Sequence, residues 1–87
     1  MNTVAKIASV LLADDHAQIL AQTTNVLSRE FEIVGSVANG LDLITAAASL
    51  DPDVVVLDIT MPGLDGIEAA RRLKRTSIRA KLVILTV

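Results

Sequence analysis

The sequence predicts an α/β protein in which helices cover both faces of a parallel β-sheet. Short aliphatic runs alternate along the chain with segments whose apolar residues recur at helical spacing. This alternation implies right-handed β-α-β crossovers, which produce a parallel sheet. The 87 residues include one Phe, no Trp or Tyr and no Cys, so the expected product is one small domain with an aliphatic core.

The first half of the chain is predicted to hold two strands, each followed by a helix. The continuous apolar run Ser9–Ala13 predicts the first strand, and apolar residues at helical spacing follow from Ile19 to Leu27. Glu32–Ala38 predicts a weaker strand whose polar interruptions suit the edge of a sheet. Asn39 is then expected to cap a second helix. The residues predicted to form the buried face of this helix are Leu41, Ile44 and Ala48.

The second half predicts two more strands around a third helix. Val54–Leu57 is aliphatic on both faces, as a central parallel strand should be. Asp65, with Glu68 three residues later, forms a capping box that opens the third helix. Leu82–Val87 predicts the fourth strand. The predicted buried side of the third helix holds Ile67, Ala70 and Leu73.

Composition narrows the possible functions. Without cysteine the chain has no disulfide and no thiolate metal ligand. Six of the eight basic residues lie from Arg71 onwards, but no aromatic residues are interleaved for base stacking, so a helix C-terminus is favoured over a nucleic-acid site. No apolar segment is long enough to span a bilayer or convincing as a signal peptide, which predicts a cytoplasmic protein.

Polar residues follow the predicted strands at their carboxyl ends. Asp14 and Asp15 follow the first strand, Asp58 ends the third and Thr86 ends the fourth. Carboxyl ends of parallel strands meet at one edge, where ligands bind near the reversal of strand order. Crowded carboxylates repel, and one or more takes up a proton unless a cation neutralises them. An all-oxygen set selects a hard ion such as Mg²⁺, which also suits phosphoryl transfer to a carboxylate. The alternative is that Asp14 only caps a helix and Asp58 only ends its strand.

The chain resembles the receiver domain of two-component response regulators, most closely the subfamily with a helix-turn-helix output domain. The resemblance rests on the order and spacing of LLADDH, VVVLDITMPGLDGIEAARRLK and KLVILT. It implies a flavodoxin-like parallel sheet, here truncated to four strands in the order 2-1-3-4. Residues 1–87 are thus expected to form a partial receiver domain in which the fourth helix, the lysine-bearing fifth strand and the fifth helix are absent.

The resemblance also implies a role for each site residue. Asp58 is the expected phosphoacceptor, which takes its phosphoryl group from the phosphohistidine of a sensor histidine kinase. For Mg²⁺, Asp15 is the implied direct ligand and Asp14 a ligand through water, with Asp58 and the backbone carbonyl of Thr60 completing the protein ligands. Thr86 is the implied switch hydroxyl, which moves towards the phosphoryl oxygens.

Two further groups of residues lie close to these positions in the sequence. Pro62, Gly63 and Gly66 are implied to shape the loop after Asp58 and to leave room for the donor histidine. His16 directly follows the acidic pair, but it is expected only to lie in the first turn of the first helix, without a chemical role.

The implied function is that of a phosphoryl-accepting module rather than an enzyme, with Mg²⁺ as cofactor and no membrane partner. Contact with DNA is expected only through an output domain outside this chain. The alternative is a signalling-incompetent fragment that self-associates through the exposed edge of the fourth strand. A hydrolase with an aspartate nucleophile is a third possibility, disfavoured because its motif requires a second acid where Thr60 stands.

Overall fold

Four strands and three helices alternate along the chain in the computed structural model, which describes residues 7–59, 61, 65–76 and 79–85. The predicted alternation is therefore confirmed. The elements are β1 (Ser9–Ala13), α1 (Ala17–Leu27), β2 (Glu32–Val37), α2 (Gly40–Leu50), β3 (Val54–Asp58), α3 (Gly66–Arg75) and β4 (Lys81–Leu85).

The strands form one parallel sheet in the order β2-β1-β3-β4, as expected. β1 lies between β2 and β3, with Ala13 opposite Val37 on one side and opposite Leu57 on the other. The chain leaves β1 outwards to β2 and then returns to β3 on the opposite side of β1. Strand order therefore reverses between β1 and β3, which is where open α/β sheets bind ligands.

The crossovers place helices on both faces of the sheet. Because β-α-β connections are right-handed, α1 lies on one face while α2 and α3 share the other, where they contact each other. The main core fills the space between the sheet and α2 and α3. Its buried members are Leu11, Ala13, Leu43, Ala47, Val55, Leu57, Met61, Ala69 and Leu73.

The buried face of α2 differs from the predicted one. Leu43 and Ala47 are buried and Ile44 is half-buried, whereas Leu41 and Ala48 are exposed. The sequence GLDLITAAASL places apolar residues around most of the helix, so spacing alone favoured a stripe rotated away from the true one. Contact with the sheet decided which stripe is buried.

The buried face of α3 was also only partly predicted. Leu73 is buried as expected, but it is joined by Ala69 and Gly66, while Ile67 is 46% exposed and Ala70 half-buried. Gly66, Ala69 and Leu73 lie on one helical stripe. The two small residues let the start of α3 approach β3 closely, and the larger Ile67 is left outside.

Both predicted helix caps are confirmed. The Asn39 side chain accepts the Asp42 N–H at 2.8 Å, and the Asp65 side chain accepts the Glu68 N–H at 2.9 Å. In the expected capping box the Glu68 carboxylate would return to the cap residue, yet it lies 3.4 Å from Nε of Arg72.

Strand limits agree with the sequence to within a residue or two. β2 lies at the sheet edge as predicted and ends at Val37, and β3 continues to Asp58. The fourth strand runs over Lys81–Leu85, and the last two predicted residues lie outside the described part. No helix within the described ranges has the length and apolar character needed to cross a membrane.

Candidate functional site

Three carboxylates meet at the carboxyl ends of β1 and β3. Asp58 is the last residue of β3, and Asp14 and Asp15 directly follow β1. Because Ala13 lies opposite Leu57, Asp14 and Asp58 are neighbours on adjacent strands. One oxygen from each acid and Nδ1 of His16 all lie within 4.8 Å of one another. The structure thus brings together the three acids that the sequence places at one edge.

The cluster is partly withdrawn from water. Asp14 and Asp58 are 8% and 6% exposed, whereas the Asp15 side chain is 31% exposed and reaches towards the rim. The Asp14 N–H donates to the Val37 carbonyl at 3.0 Å, which extends the β1-β2 pairing by one residue and fixes the backbone at the site. Carboxylates held together with so little water require a positive charge or hydrogen-bond donors nearby.

The imidazole of His16 supplies part of that compensation. Its Nδ1 lies 2.8 Å from Oδ1 of Asp14, 3.1 Å from Oδ1 of Asp15 and 3.8 Å from Oδ2 of Asp58. The hydrogen bond to Asp14 raises the pKa of His16 above its usual value, and the negative charge of Asp15 adds to the effect. His16 therefore carries its charge more readily than a free histidine does.

The expectation for His16 needs correction. His16 is the N-cap residue of α1 rather than a member of its first turn, and its side chain makes no capping hydrogen bond. The residue between a strand end and a helix start lies at the same rim as the strand-end acids, so its ring can reach them. The sequence signal was the position of the histidine directly after two acids, which was not enough to predict the contact.

The start of α3 packs against the backbone that leaves Asp58. The Gly66 N–H donates to the Ile59 carbonyl at 3.0 Å, and a Cβ on Gly66 would lie 2.6 Å from the Asp58 carbonyl oxygen and 2.4 Å from the Ile59 Cα. Only a glycine permits this approach. The backbone at Asp58 and Ile59 is thereby held against the start of α3.

Four of the residues with expected roles near the site lie outside the described residues: Thr60, Pro62, Gly63 and Thr86. The ligand role of Thr60 and the switch role of Thr86 therefore stay predictions.

The donor set fits Mg²⁺. The three acids provide only oxygen ligands, the type that this hard ion prefers, and Mg²⁺ is usually held by one or two carboxylates together with water. The Asp15 side chain is partly exposed, so the cluster is open to solvent and water molecules can supply the remaining ligands.

The fold and the acid cluster define the class of flavodoxin-like receiver domains. The family model described as the response regulator receiver domain matches residues 10–87, and the chain belongs to that family. The predicted family and fold are thereby confirmed. The role of each site residue and the limits of the domain stay predictions.

Characterised relatives lie in the same family. The nitrate/nitrite response regulator protein NarL of Escherichia coli K12 is 35% identical over 82 residues, which cover 92% of this chain and 38% of NarL. The chain thus spans less than half of that relative's length.

Solved structures show the same architecture. The signal receiver domain of a Mycobacterium tuberculosis response regulator named NarL superposes with a TM-score of 0.89 at 24% identity, over 93% of this chain and 67% of that one, and shows the fold alone. A LuxR-family DNA-binding response regulator from Staphylococcus aureus superposes with a TM-score of 0.88 at 29% identity, over 92% of this chain and 68% of that one.

Substitution of Gly66 should destabilise the site and the fold together. Gly66→Ala forces the new methyl group against the backbone of Asp58 and Ile59, so we expect the free energy of unfolding to fall by about 1–3 kcal/mol. Gly35→Ala is the matched control, because its methyl group would meet the ends of the flexible side chains of Leu50 and Leu11 at 3.1 and 3.3 Å. Urea unfolding measures both; equal losses would contradict the backbone contact.

Proposed function

We propose that this chain is a receiver module in which Asp58 accepts a phosphoryl group from the phosphohistidine of a sensor histidine kinase, with Mg²⁺ held by Asp14, Asp15 and Asp58. The observation that carries the proposal is the convergence of these carboxylates, from the ends of two adjacent strands, within 4.8 Å. One acid alone at a strand end is explained by strand termination, but three that share one opening imply a bound cation.

Asp58 is the best placed of the three acids to act as the nucleophile. It ends β3, which has a neighbouring strand on each side, so its backbone is held more firmly than that of the residues after β1. Asp14 and Asp15 follow the end of β1 rather than belonging to a strand, and Asp15 lies nearer to solvent. These positions favour Asp14 and Asp15 as metal ligands and Asp58 as the acceptor.

The proposed step is a simple displacement at phosphorus. A carboxylate oxygen of Asp58 attacks, the bond between phosphorus and the donor imidazole nitrogen breaks, and the donor leaves as histidine. The product on Asp58 is an acyl phosphate. Bound Mg²⁺ supplies the positive charge that balances the phosphoryl oxygens during transfer.

The names of the relatives support a role in gene regulation. A nitrate/nitrite response regulator and a LuxR-family DNA-binding response regulator are among the matches. We infer that this module reports its phosphorylation state to an output domain that contacts DNA, and that it acts as an acceptor rather than as an enzyme in its own right. A cytoplasmic location stays a prediction from the sequence.

A second candidate function is association through β4. Among the described residues β4 pairs only with β3, and Val83, Ile84 and Leu85 are 44%, 41% and 41% exposed. An aliphatic edge strand with open backbone groups is a template for pairing with another chain. This observation favours self-association. The edge lies beside the proposed acceptor, because Leu85 is the β4 partner of Asp58.

Magnesium should stabilise the folded chain through the acid cluster. An ion that binds only the folded state raises the free energy of unfolding, by about 2.7 kcal/mol at one hundred times the dissociation constant. We expect a higher melting temperature with Mg²⁺ for the wild type, and no shift for Asp15→Asn. Asp42→Asn, with the same charge change on α2, should respond like the wild type. An unchanged response in the Asp15 variant would refute the site.

Phosphorylation should be confined to Asp58. With acetyl phosphate and Mg²⁺ we expect an acyl phosphate, which is labile in both acid and base, on this residue, located by peptide mass spectrometry after reduction with borohydride. Asp58→Asn should remove it. Asp51→Asn is the control, because Asp51 has φ 46°, a left-handed conformation that asparagine also tolerates. Modification of another acid in the wild type would contradict the assignment.

Self-association should depend on the β4 edge. Ile84→Lys places a charge on the exposed strand, so we expect light scattering after gel filtration to show smaller species than for the wild type. Val26→Lys, at a position that is 65% exposed on α1, adds the same charge away from the edge and should leave the species unchanged. A wild-type chain that stays monomeric at high concentration would eliminate this second function.

A further inference from the structure

We propose that His16 is a further ligand of the metal site, and that its imidazole nitrogen gives the site a preference for first-row transition ions such as Co²⁺ and Ni²⁺ beyond that of the carboxylates alone. The inference rests on the metal site proposed above and adds a nitrogen donor to it. It concerns which ion the site holds rather than the acceptor role of Asp58.

The spacing of the donor atoms matches that around one ion. Ligands bound at about 2.1 Å in octahedral geometry lie about 3.0 Å apart when adjacent and about 4.2 Å apart when opposite. From Nδ1 of His16 the carboxylate oxygens of Asp14, Asp15 and Asp58 lie at 2.8, 3.1 and 3.8 Å. The widest separation in the set is within 4.8 Å, so a small contraction brings all four donors to one ion.

The position of the ring is already prepared by the backbone. His16 has an extended conformation, φ −99° and ψ 105°, at the N-cap of α1, and its backbone N–H donates to Oδ1 of Asp14 at 2.9 Å. The ring nitrogen contacts the same oxygen. A side chain that is already turned into the cluster loses little conformational entropy when it binds an ion.

Coordination requires Nδ1 to give up its proton. A carboxylate can only accept a hydrogen bond, so the Nδ1–H group is the donor to Asp14 at 2.8 Å. With an ion bound, Nδ1 would present its lone pair and the one proton of the neutral ring would reside on Nε2, in a side chain that is 60% exposed. The backbone N–H of His16 continues to orient the Asp14 carboxylate.

The nitrogen donor changes ion preference in a defined direction. Imidazole binds Co²⁺, Ni²⁺, Cu²⁺ and Zn²⁺ well, whereas Mg²⁺ prefers oxygen. Transition ions bind more tightly than Mg²⁺ even to carboxylates, so affinity alone does not reveal the nitrogen. The informative quantity is how much the binding affinity for each ion falls when His16 is replaced.

The test compares metal affinities of the wild type and His16→Gln by titration calorimetry. The chain carries no histidine tag, and the buffer is mildly alkaline so that the ring is neutral. We expect a loss of about tenfold or more for Co²⁺ and Ni²⁺ in the variant and little change for Mg²⁺. Equal losses for all ions, or no loss for any, would overturn the proposal.

Spectroscopy gives an independent readout, because His16 is the only histidine of the chain. Pulsed electron paramagnetic resonance of bound Mn²⁺ or Cu²⁺ should show coupling to an imidazole ¹⁴N in the wild type, and the coupling should vanish in His16→Gln. A wild-type spectrum without this coupling would also overturn the proposal, whether or not the variant is stable.

Asp15→Asn separates this inference from the proposed function. If Asp15→Asn binds none of the ions while His16→Gln binds all of them with wild-type affinity, the metal site stands and the histidine ligand is wrong. If Asp15→Asn keeps its ions, the carboxylate site itself is wrong and the inference falls with it.

Discussion

The adjacency of β1 and β3 is the constraint on which the rest of this molecule depends. It places the carboxylates of Asp14 and Asp58 side by side at the end of an aliphatic sheet, where their charges repel and water is scarce. The side chain of His16, whose Nδ1 lies 2.8 Å from Asp14, offsets part of this repulsion. An ion held by the three carboxylates, as proposed above, would offset more of it.

The same constraint explains why the proposed acceptor lies on a strand and the proposed metal ligands Asp14 and Asp15 follow the end of another. Asp58 belongs to β3, whose two neighbouring strands hold its position, while Asp15 lies beyond the end of β1 and keeps contact with solvent. With an ion held at the rim as proposed, the fixed position of Asp58 would let a phosphoryl donor approach without rearrangement of the sheet. Gly66 completes this arrangement, since its lack of a side chain lets α3 support the backbone just after Asp58.

The two faces of the sheet are not equally complete in the described residues. The face under α2 and α3 holds a continuous core of buried aliphatic side chains. On the other face Val10 and Leu12 are buried, yet no residue of α1 is, and Val26 is 65% exposed. β4 adds further exposed aliphatic surface. The exposed apolar surface on the α1 side and the β4 edge are thus the regions available for the proposed association, and the β4 edge adjoins the acid cluster, because Leu85 pairs with Asp58.

The sequence alone determined the element order, the parallel sheet, the caps at Asn39 and Asp65 and the meeting of the three acids, because local periodicity and the direction of parallel strands suffice for these. It did not determine which stripe of α2 or α3 is buried. In α2, apolar residues lie around most of the helix, so their spacing does not single out one face. In α3, Gly66 is buried because the helix approaches the sheet closely there, which hydrophobicity does not predict. The contact of His16 with the acids was likewise decided by tertiary structure, since it depends on the path of the chain from β1 into α1 relative to the end of β3.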